Sequence, residues 1–418
     1  MQNSEKILVI NSGSSSLKLT LYSIGSKQRL ATGFVERIGT DAANMIYSRN
    51  GETKIEKTVE AKNHAIALDL VTQYLIDPEI GVIKSLDEIN AIGHRVLHGG
   101  EIFKTATLID TDVITQLRYL VPLGPLHMPA NIGGVEACKK IFPDAQNVAV
   151  FDTAFHQSMP AYASRYAIPN EYYEKYGIRK FGFHGTSHHF VTLAASEFMG
   201  RAPEELKLVT CHLGNGSSLA AVKYGKVYDT TMGLTPLDGV VMGTRSGNID
   251  PAVVLTLVRQ GMTADEIDNM LNKQSGLFGV GGIDSGDMRD IVSNAAAGVA
   301  TAKLALDMWA HRIVFYIGGY SSLIGGADAI VFTGGIGENS WQAREKVLSR
   351  LESIGCIMDE KANSTRRGPC YVSTPDSPVA VIIMPTDEEL MIAKQTSEVV
   401  SAYRASIRKE EAERDFVI

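Results

Sequence analysis

Two distant segments of the chain follow the same plan, and this repeat limits the possible folds more than any other feature. Each segment contains an apolar strand pattern, a turn rich in Gly and Ser, and a second strand pattern of period two. The segments read LVINSGSSSLKLTLY at 8–22 and VTCHLGNGSSLAAVKYGKVYD at 209–229. Each is followed downstream by an apolar run that ends in Gly-Gly, VLHGG at 96–100 and VFTGG at 331–335. The repeat predicts two related α/β units, each presenting a β-hairpin turn to a shared cleft.

The length of the chain also favours two domains. Its 418 residues exceed what one hydrophobic core usually organises. We expect a first domain of residues 1–151 completed by the final helix at 386–418, and a second domain of residues 152–385. Helix signals predict one helix at 188–199 that ends before Gly200, and another at 341–354 that ends before Gly355. A Thr386-x-x-Glu389 capping box is predicted to open the last helix.

Charge and composition exclude several classes of partner. The formal charge of -7 and the pI near 5.8 disfavour binding to nucleic acid or to an anionic membrane, since both need a clustered positive field. The apolar stretch at 299–327 contains Lys303, Asp307, His311 and Arg312, which indicates a buried helix and not a membrane span. The scattered cysteines and the absence of a signal-peptide pattern predict a cytoplasmic protein with a small soluble partner.

The Gly- and Ser-rich turns in the two repeats are candidate phosphate sites. The first turn spans 13–16 and is followed by Lys18, and the second spans 214–218. Backbone N–H groups in such turns can approach a phosphate closely, and the hydroxyl groups add further donors. The chain has no G-x-x-x-x-G-K-[ST] motif, so it is not a P-loop enzyme. Ser15-x-x-Lys18 fits the motif of penicillin-binding acyl-enzymes, but it lies between two strands and lacks that motif's S-D-N and K-T-G companions.

Arg95 and Arg245 lie in Gly-rich, turn-prone segments, GHRVLHGG and GTRSGN. A guanidinium group in such a setting suits bidentate binding of carboxylate or phosphoryl oxygens, and a structural ion pair is the alternative. Asp152 follows the apolar strand NVAVF, and strand ends are where open α/β sheets bind ligands. Because Mg²⁺ prefers a few protein oxygens and several waters, Asn11, Asp152 and Glu388 are candidates to hold it directly or through water.

The segment FGFHGTSHH at 181–189 contains three closely spaced histidines. Their spacing raises the possibility of zinc, but no third ligand of Cys, Glu or Asp type follows at a usual distance. His184 precedes a helix start, and we interpret it as a donor to charge that develops in a transition state. His127 and His212 either share that role or are core histidines, and their spacing does not separate the two alternatives.

Taken together, these motifs resemble those of the acetate kinase family over nearly the whole chain. The matching segments are NSGSSSLK at 11–18, GHRVLHGGE at 93–101, FDTAFH at 151–156, FGFHGTSH at 181–188, HLGNGSS at 212–218, GTRSGNIDP at 243–251, FTGGIGEN at 332–339 and PTDEE at 385–389. The resemblance implies the superfamily of acetate and sugar kinases, actin and heat-shock chaperones. It implies an α/β fold of two ribonuclease-H-like domains that close on a nucleotide, with the second domain also serving dimerisation in a homodimer.

The resemblance also implies roles for individual residues. The implied catalytic residues are Arg95, Asp152, His184 and Arg245. The implied ligands of Mg²⁺ or Mn²⁺ are Asn11, Asp152 and Glu388. The residues implied to bind ATP or ADP are Lys18, His212, Gly214, Asn215, Gly216, Asp287, Met288, Arg289, Gly335, Ile336, Gly337 and Asn339. The residues implied to contact acetate are Arg95, Leu97, Leu126, His127, Phe183 and Pro236.

The expected reaction is reversible, direct in-line transfer of the γ-phosphoryl group of MgATP to acetate. Carboxylate and triphosphate are both anions, so their approach requires neutralisation, which two arginines, a metal ion and a histidine would supply. A carboxylate is already deprotonated at neutral pH, so no strong general base is needed, and Asp152 is expected to organise the metal.

Four positions depart from the family pattern. Met128 replaces an Asn, Asn248 replaces an Asp, Asp387 replaces an Asn, and Leu97 stands where Val is common. The larger Leu97 favours acetate over propionate. A propionate or butyrate kinase of the same fold remains the alternative, followed by a non-catalytic ATP-binding switch and by a kinase that uses pyrophosphate.

Overall fold

The computed structural model describes residues 5–51 and 54–415. Its contacts divide the chain into two compact units. The first unit runs to Ala154 and resumes at Asp387, and the second is Phe155–Thr386. Both junctions lie slightly later than the sequence-based boundaries. Each unit is built on its own mixed β-sheet with flanking helices, so the predicted α/β class is confirmed.

In the first unit, the described residues form an eight-stranded sheet in the order β5-β4-β3-β2-β1-β6-β8-β7. The strands are β1 (Lys6–Ser12), β2 (Ser16–Ser23), β3 (Gln28–Glu36), β4 (Asn44–Arg49), β5 (Lys54–Thr58), β6 (Ala91–Val96), β7 (Thr107–Leu108) and β8 (Gln146–Phe151). β1 pairs antiparallel with β2 and parallel with β6, and β6 pairs parallel with β8. The parallel strands β1, β6 and β8 therefore end at the same edge of the sheet, with Asn11 near the end of β1, Arg95 near the end of β6 and Asp152 directly after β8.

The helices of the first unit are α1 (His64–Leu75), α2 (Thr111–Tyr119), α3 (Met128–Ile141) and the C-terminal helix (Glu388–Asp415). Alternate residues of β1 enter different cores, as the pleat requires. Leu8 and Ile10 belong to the cluster that contains α1 and α3 residues, whereas Ile7 and Val9 belong to the cluster that contains Ile392 of the C-terminal helix. The central strands are thus buried on both faces, which fits their continuous apolar runs.

In the second unit, the described residues form a six-stranded sheet in the order β11-β10-β9-β12-β14-β13. The strands are β9 (Lys207–Leu213), β10 (Ser217–Lys223), β11 (Lys226–Thr230), β12 (Ala329–Thr333), β13 (Cys370–Tyr371) and β14 (Ala380–Ile383). β9 pairs antiparallel with β10 and parallel with β12, and β12 pairs parallel with β14. This repeats the arrangement of β2, β1, β6 and β8, as the internal repeat predicts.

The helices of the second unit are α4 (Ala161–Ser164), α5 (Asn170–Tyr176), α6 (Gly185–Met199), α7 (Pro251–Arg259), α8 (Ala264–Lys273), α9 (Gly276–Gly281), α10 (Met288–Ala296), α11 (Ala300–Leu323), α12 (Gly334–Asn339), α13 (Trp341–Leu348) and α14 (Glu360–Thr365). Core residues of α11, including the fully buried Trp309, pack with Val209 and Cys211 of β9. Residues of α6 pack with the alternate residue Leu208. The predicted buried helix is therefore α11, and no described helix is long and apolar enough to cross a membrane.

Two helix predictions need correction. α13 ends at Leu348, and a separate 3₁₀ turn covers Glu352–Ile354 before Gly355, which has a φ of 90°. At the C-terminal helix, the Leu390 N–H donates to Asp387 Oδ1 at 2.9 Å, so Asp387 is the capping residue. Glu389 instead forms an ion pair with Lys18. The predicted Thr386–Glu389 capping box is wrong, because a distant cation takes the glutamate side chain.

Candidate active site

The turn between β9 and β10 forms the phosphate-turn candidate of the second unit. The Gly214 N–H donates to the Gly216 carbonyl at 3.1 Å and lies 3.2 Å from Ser217 Oγ. A neighbouring loop fixes Asn215, because the Gly243 N–H donates to the Asn215 carbonyl at 3.0 Å. A Cβ atom on Gly243 would lie 1.9 Å from Asn215 Oδ1, so a larger residue would displace the Asn215 side chain. Hydrogen bonds within the second unit thus fix the conformation of this turn.

A cavity of about 840 Å³ adjoins this turn. Its lining combines the turn, the first residues of α10, and the segment after β12. The lining residues are Gly214, Asn215, Thr244, Gly286, Asp287, Met288, Arg289, Val292, Ser293, Ala296, Gly335, Ile336, Asn339, Ser340 and Gln342. Its volume falls within the range of small-molecule and cofactor sites. The structure therefore brings together most residues predicted to bind the nucleotide in this unit, although Gly216, His212 and the buried Gly337 are not among the lining residues.

At one side of the cavity, Asp287 caps α10 and binds Arg289. The Asp287 side chain accepts from the Arg289 N–H, and Arg289 Nη2 lies 2.7 Å from Asp287 Oδ2. The bonds from Arg289 lower the pKa of Asp287 to about 2. The guanidinium remains 88% exposed, so Arg289 presents its planar group to solvent at the cavity. This placement suits stacking on a planar ligand group.

The segment after β12 closes the cavity from another side through a glycine-dependent turn. Gly334 has a φ of 76°, a left-handed conformation that other residues adopt at a cost. Its N–H donates to Glu338 Oε1 at 2.9 Å, and the Asn339 side chain donates to the Gly335 carbonyl. These bonds explain why the Gly-Gly pair ends the strand and begins the short helix α12.

Arg245 and His184 both lie close to Gly216, on the side where a Cβ atom would be. A Cβ atom on Gly216 would lie 3.3 Å from Arg245 Nη1 and 3.5 Å from His184 Nε2. Arg245 Nη1 donates to the Pro236 carbonyl at 3.3 Å, and partial burial lowers the pKa of the guanidinium. A cation and a ring nitrogen therefore face the phosphate turn together, which is an arrangement that can bind phosphoryl oxygens.

His184 itself has an unusual backbone conformation. It precedes α6 with a φ of 56°, which is uncommon for a residue other than glycine. Its Nδ1 lies 3.0 Å from Ser218 Oγ, and its ring stacks on His212 with a centroid distance of 4.3 Å. His212 Nδ1 in turn lies 2.7 Å from Ser187 Oγ. The strained backbone and these contacts fix the orientation of the His184 ring.

The histidines of α6 have partners that argue against zinc. The two ring nitrogens of His188 lie 2.7 Å from Thr210 Oγ1 and 2.7 Å from Ser218 Oγ. His189 stacks on Phe155 instead of sharing a site with His188. Among residues 5–51 and 54–415, no group of three or more His, Cys, Asp or Glu side chains has a geometry that could hold a metal.

In the first unit, Arg95 and Asp152 form a bidentate ion pair at the ends of β6 and β8. Arg95 Nη2 donates to Asp152 Oδ2 at 2.6 Å, and Nε lies 3.1 Å from both carboxylate oxygens. Asp152 is 1% exposed and Arg95 is 29% exposed. Asp152 raises the pKa of Arg95, with a further contribution from Glu388. Burial raises the pKa of Glu388, and Arg95 opposes that effect. Arg95, Asp152 and Glu388 therefore form one charge cluster.

A second set of polar contacts holds the residues on either side of Glu388. Tyr22 Oη donates to Asp387 Oδ1 at 3.0 Å, and Arg29 Nη2 donates to Asp387 Oδ2 at 3.1 Å. Lys18 pairs with Glu389 as described above. Asp387, one of the departures from the family pattern, is thus both a helix cap and an ion-pair partner. Lys18, predicted to bind phosphate, is half exposed within this network.

The predicted acetate residues have different surroundings within each unit. In the first, Leu97 packs against an apolar cluster, whereas Leu126 is 72% exposed and His127 is exposed. In the second, Phe183 is buried and Pro236 is half-buried. The Leu97 N–H donates to Asn131 Oδ1 at 3.0 Å, and Asn131 Nδ2 donates to the Ser12 carbonyl. The sequence analysis did not name Asn131 as a site residue. A polar residue among the apolar positions of α3 was a signal that could have identified it.

The remaining departures are explained by local packing. Met128 is completely buried at the start of α3, in the apolar cluster that contains Phe151. Asn248 Nδ2 donates to Tyr316 Oη at 2.7 Å, and Asn248 Oδ1 accepts from the Gly239 N–H. Its neighbour Tyr316 is influenced by Asp238, so a neutral Asn avoids another carboxylate in this region. Sequence reasoning also missed Val292, Ser293 and Ala296, which follow Arg289 at helical spacing.

The sequence matches a known family over most of its length. The profile of the Acetokinase family covers residues 6–394. The chain belongs to the acetokinase family. Relatives described as acetate kinases from Methanosarcina acetivorans and Carboxydothermus hydrogenoformans are 51% and 49% identical to it. The alignments cover 94% of this chain and 97% and 99% of those relatives. The family resemblance seen in the motifs is confirmed.

Solved structures of acetokinase relatives share the fold. The crystal structure of Porphyromonas gingivalis acetate kinase has a TM-score of 0.91 and 42% identity, covering 95% of this chain and 100% of that one. A propionate kinase from Francisella tularensis has a TM-score of 0.88 and 41% identity, covering 94% and 100%. The fold is therefore common to relatives named for two different acids.

Proposed function

We propose that this protein transfers the γ-phosphoryl group of MgATP reversibly to acetate, giving acetyl phosphate and ADP. The observation that carries the proposal is the cavity of about 840 Å³ beside the Gly214–Gly216 turn, with Arg245 and His184 next to that turn. The acetate kinases that are about half identical to this chain supply the acceptor. Together these observations favour a kinase over a non-catalytic ATP-binding switch, which would bind the nucleotide without an acceptor pocket.

The nucleotide is assigned to the cavity of the second unit. In this proposal, Arg289, Ile336 and Asn339 lie along the adenosine, and the phosphates follow the turn at Asn215 and Gly216. Lys18 and His212 are assigned to the phosphates, and Gly337 supports the segment that carries Ile336. The size of the cavity supports ATP over pyrophosphate, which has no base or ribose to fill the space between α10 and α12.

Magnesium is assigned to oxygen ligands of the first unit. Asp152 and Glu388 offer carboxylates and Asn11 an amide oxygen, which is the ligand chemistry that Mg²⁺ or Mn²⁺ prefers. Both Asp152 oxygens already accept from Arg95, so we expect Asp152 to act through water and to orient Arg95. When bound, the ion would neutralise charge on the phosphates. The unfavourable burial of the Glu388 carboxylate supports this assignment, because a cation would compensate it.

The protein's own groups are assigned to positioning and charge neutralisation. Arg95 and Arg245 bind oxygens of the transferring group, and His184 donates a hydrogen bond to the charge that develops there. The acetate carboxylate attacks phosphorus in line with the departing ADP oxygen. No general base is assigned, because the nucleophile is already ionised.

The methyl group of acetate is assigned to Leu97, Leu126, Phe183 and Pro236, with His127 at the same site. The alternative substrate is propionate, which is supported by the structural match to a propionate kinase. We expect Leu97→Val to raise the ratio of propionate to acetate efficiency by about tenfold, because one methylene in a pocket is worth about 1–3 kcal/mol. Leu123→Val, a matched change in the same apolar cluster, is the control. An unchanged ratio in the Leu97 variant would remove Leu97 from the pocket.

We also propose a cytoplasmic homodimer. The outer side of α11 supports an association surface, because Leu304, Met308, Phe315 and Leu323 are 43–63% exposed at roughly helical spacing. Sedimentation equilibrium tests this part of the proposal, and a monomer at micromolar concentration contradicts it.

The acid substrate is tested by trapping acyl phosphate with hydroxylamine. Reactions contain ATP, Mg²⁺ and acetate, propionate or butyrate in parallel, with a chelator control for the metal. The proposal expects the strongest hydroxamate signal with acetate and none in chelator. A stronger propionate or butyrate signal selects the alternative acid, and a signal with pyrophosphate but not ATP selects the alternative donor. No signal with any acid leaves the non-catalytic switch.

A further inference from the structure

Four side chains of the second unit form a continuous line of hydrogen-bonding atoms that ends at His184. Thr210 Oγ1 lies 2.7 Å from His188 Nδ1, and His188 Nε2 lies 2.7 Å from Ser218 Oγ. Ser218 Oγ then lies 3.0 Å from His184 Nδ1. Thr210, His188 and Ser218 are completely buried, so water does not compete for these bonds. Each hydroxyl carries one hydrogen, and each neutral imidazole carries one. The positions of these hydrogens are therefore coupled along the line.

The Thr210 hydroxyl determines which atom is the donor in each hydrogen bond of the line. Its hydroxyl hydrogen can point to His188 Nδ1 at 2.7 Å or to the Ala220 carbonyl at 3.4 Å. The second distance is longer than an O–H···O hydrogen bond, which spans about 2.5–3.0 Å. We therefore assign the Thr210 hydrogen to His188 Nδ1. That nitrogen is then an acceptor, and the single ring hydrogen of His188 lies on Nε2.

His188 accepts a hydrogen bond at Nδ1 and donates one at Nε2 because its ring stays neutral. Burial lowers its pKa well below the usual value, and the nearby rings of His156 and His212 act in the same sense. Its Nε2–H donates to Ser218 Oγ, so the Ser218 hydrogen is free to point to His184 Nδ1. His184 then accepts at Nδ1, and its own hydrogen lies on Nε2. That nitrogen faces the Gly216 α-carbon beside Arg245.

We propose that Thr210, His188 and Ser218 are positioning residues that hold His184 as the neutral tautomer with its hydrogen on Nε2. This inference deepens the proposed function, on which its kinetic part rests. A neutral donor at this position binds a phosphoryl oxygen without adding a second cation next to Arg245. The opposite tautomer would present a lone pair to the phosphate and repel it. In this way Thr210, His188 and Ser218 determine which nitrogen of the His184 ring carries the hydrogen.

The tautomer is read directly by long-range ¹H–¹⁵N spectra of the full chain labelled at histidine. The His184 signals are assigned by their loss in a His184→Asn variant. We expect the wild-type ring at neutral pH to be neutral, with its hydrogen on Nε2. Ser218→Ala removes the last bond of the line and should give a mixture of tautomers at His184. Thr210→Val, which keeps the shape of the side chain, should shift the same signals in the same direction.

Thr230→Val is the matched control. The Thr230 hydroxyl is equally buried in the same sheet but donates to the Leu219 carbonyl and not to a histidine. We expect its His184 signals and its kcat to match the wild type. For Ser218→Ala and Thr210→Val, we expect kcat to fall by about 10- to 100-fold, the scale seen for outer partners of functional histidines, with little change in KM for ATP.

A wild-type His184 that carries its hydrogen on Nδ1, or that is doubly protonated at neutral pH, overturns the proposal. An unchanged tautomer in both Ser218→Ala and Thr210→Val does the same. Because the spectra need no turnover, they report on the line even if no acyl phosphate is formed. A correct tautomer without activity would therefore contradict the proposed function alone.

Discussion

Arg95 and Arg245 are both flanked by glycines, but the two units hold them in opposite ways. Arg95 binds the buried carboxylate of Asp152 through two nitrogens, and this pairing raises its pKa. Arg245 donates to a backbone carbonyl, and burial lowers its pKa. The charge of Arg95 is thus neutralised by a carboxylate of the protein, whereas Arg245 is bound by an uncharged carbonyl group. In the proposed reaction, Arg95 is fixed in place and Arg245 gains its main anionic partner from the nucleotide.

The same contrast extends to the surrounding residues. The first unit organises its site with ions, because Lys18, Arg29, Asp387 and Glu389 form pairs on either side of Glu388. In the second unit, the groups around Arg245 and His184 are neutral, namely glycine turns, hydroxyls and stacked histidines, and the Asp287–Arg289 ion pair lies at the cavity. In the proposed reaction, the carboxylates of the first unit suit a metal ion. Neutral donors beside the Arg245 cation in the second unit suit an anion.

The largest effect should come from removing the uncompensated cation. We expect Arg245→Ala to lower kcat by about 10³-fold or more, because an arginine on the transferring phosphoryl group is typically worth that much. The Kd for ATP should change by only a few-fold, since the cavity is unaltered. Steady-state kinetics and titration calorimetry measure the two quantities. Arg259→Ala, an exposed arginine on α7, is the control, and a near-normal kcat for Arg245→Ala would contradict the assignment.

Loss of the arginine should affect the stability of the folded protein more at position 95 than at position 245. Arg95→Met leaves the Asp152 carboxylate buried without its partner, and we expect a loss of about 3 kcal/mol. Arg245→Met removes one bond to a carbonyl and relieves the burial of a cation, so we expect a change below about 1 kcal/mol. Urea unfolding of both variants measures this. Equal losses would show that Arg245 is also compensated by the protein.

Buried neutral histidines are a feature that both units have, and they make the free energy of unfolding depend on pH. The first unit also keeps buried neutral histidines, since burial lowers the pKa of His94 and of His98 to about 4. Their folded pKa lies below the usual 6.5, so the unfolded state binds more protons between these values. Stability should therefore be full above about pH 6.5 and fall towards pH 4, by about 1.4 kcal/mol per pH unit for each such histidine.

The control for this titration is His94→Gln, which keeps a donor for Asn147 Oδ1 but does not titrate. Its stability should fall less steeply between pH 6.5 and 4 than that of the wild type. An identical slope would mean that His94 is protonated in the folded state or solvated there.

The sequence predicted the features that depend on local chemistry. Apolar strands end at glycines such as Gly214 and Gly334. The hairpins, the strand ends and the internal repeat could therefore be predicted from the sequence alone. The apolar run at 299–327 was predicted to form a buried helix, and core residues of α11 confirm this. The candidate residues Asp287, Ile336 and Asn339 were named through the family resemblance, and the structure brings them to one cavity.

Features that depend on distant pairing were not predicted. The Thr386–Glu389 capping box failed because Lys18 takes Glu389, and Asp387 gains Tyr22 and Arg29 as partners. Thr210 and Ser218 lie on strands whose alternation indicates only a core. Their hydroxyls become informative once β9, β10 and α6 are packed, because only then do they meet His188. Asn131 similarly gains its role from contacts with two separate strand ends.

The central claim, that the phosphoryl group goes to an acid and not to water, is tested most directly by ³¹P NMR. The protein is mixed with ATP, Mg²⁺ and acetate, without a trapping agent, and the spectrum is followed with time. We expect the γ-phosphate signal of ATP to decline while acetyl phosphate and ADP appear, and we expect ADP added with acetyl phosphate to restore ATP. Formation of inorganic phosphate alone, or an unchanged ATP signal, would contradict it.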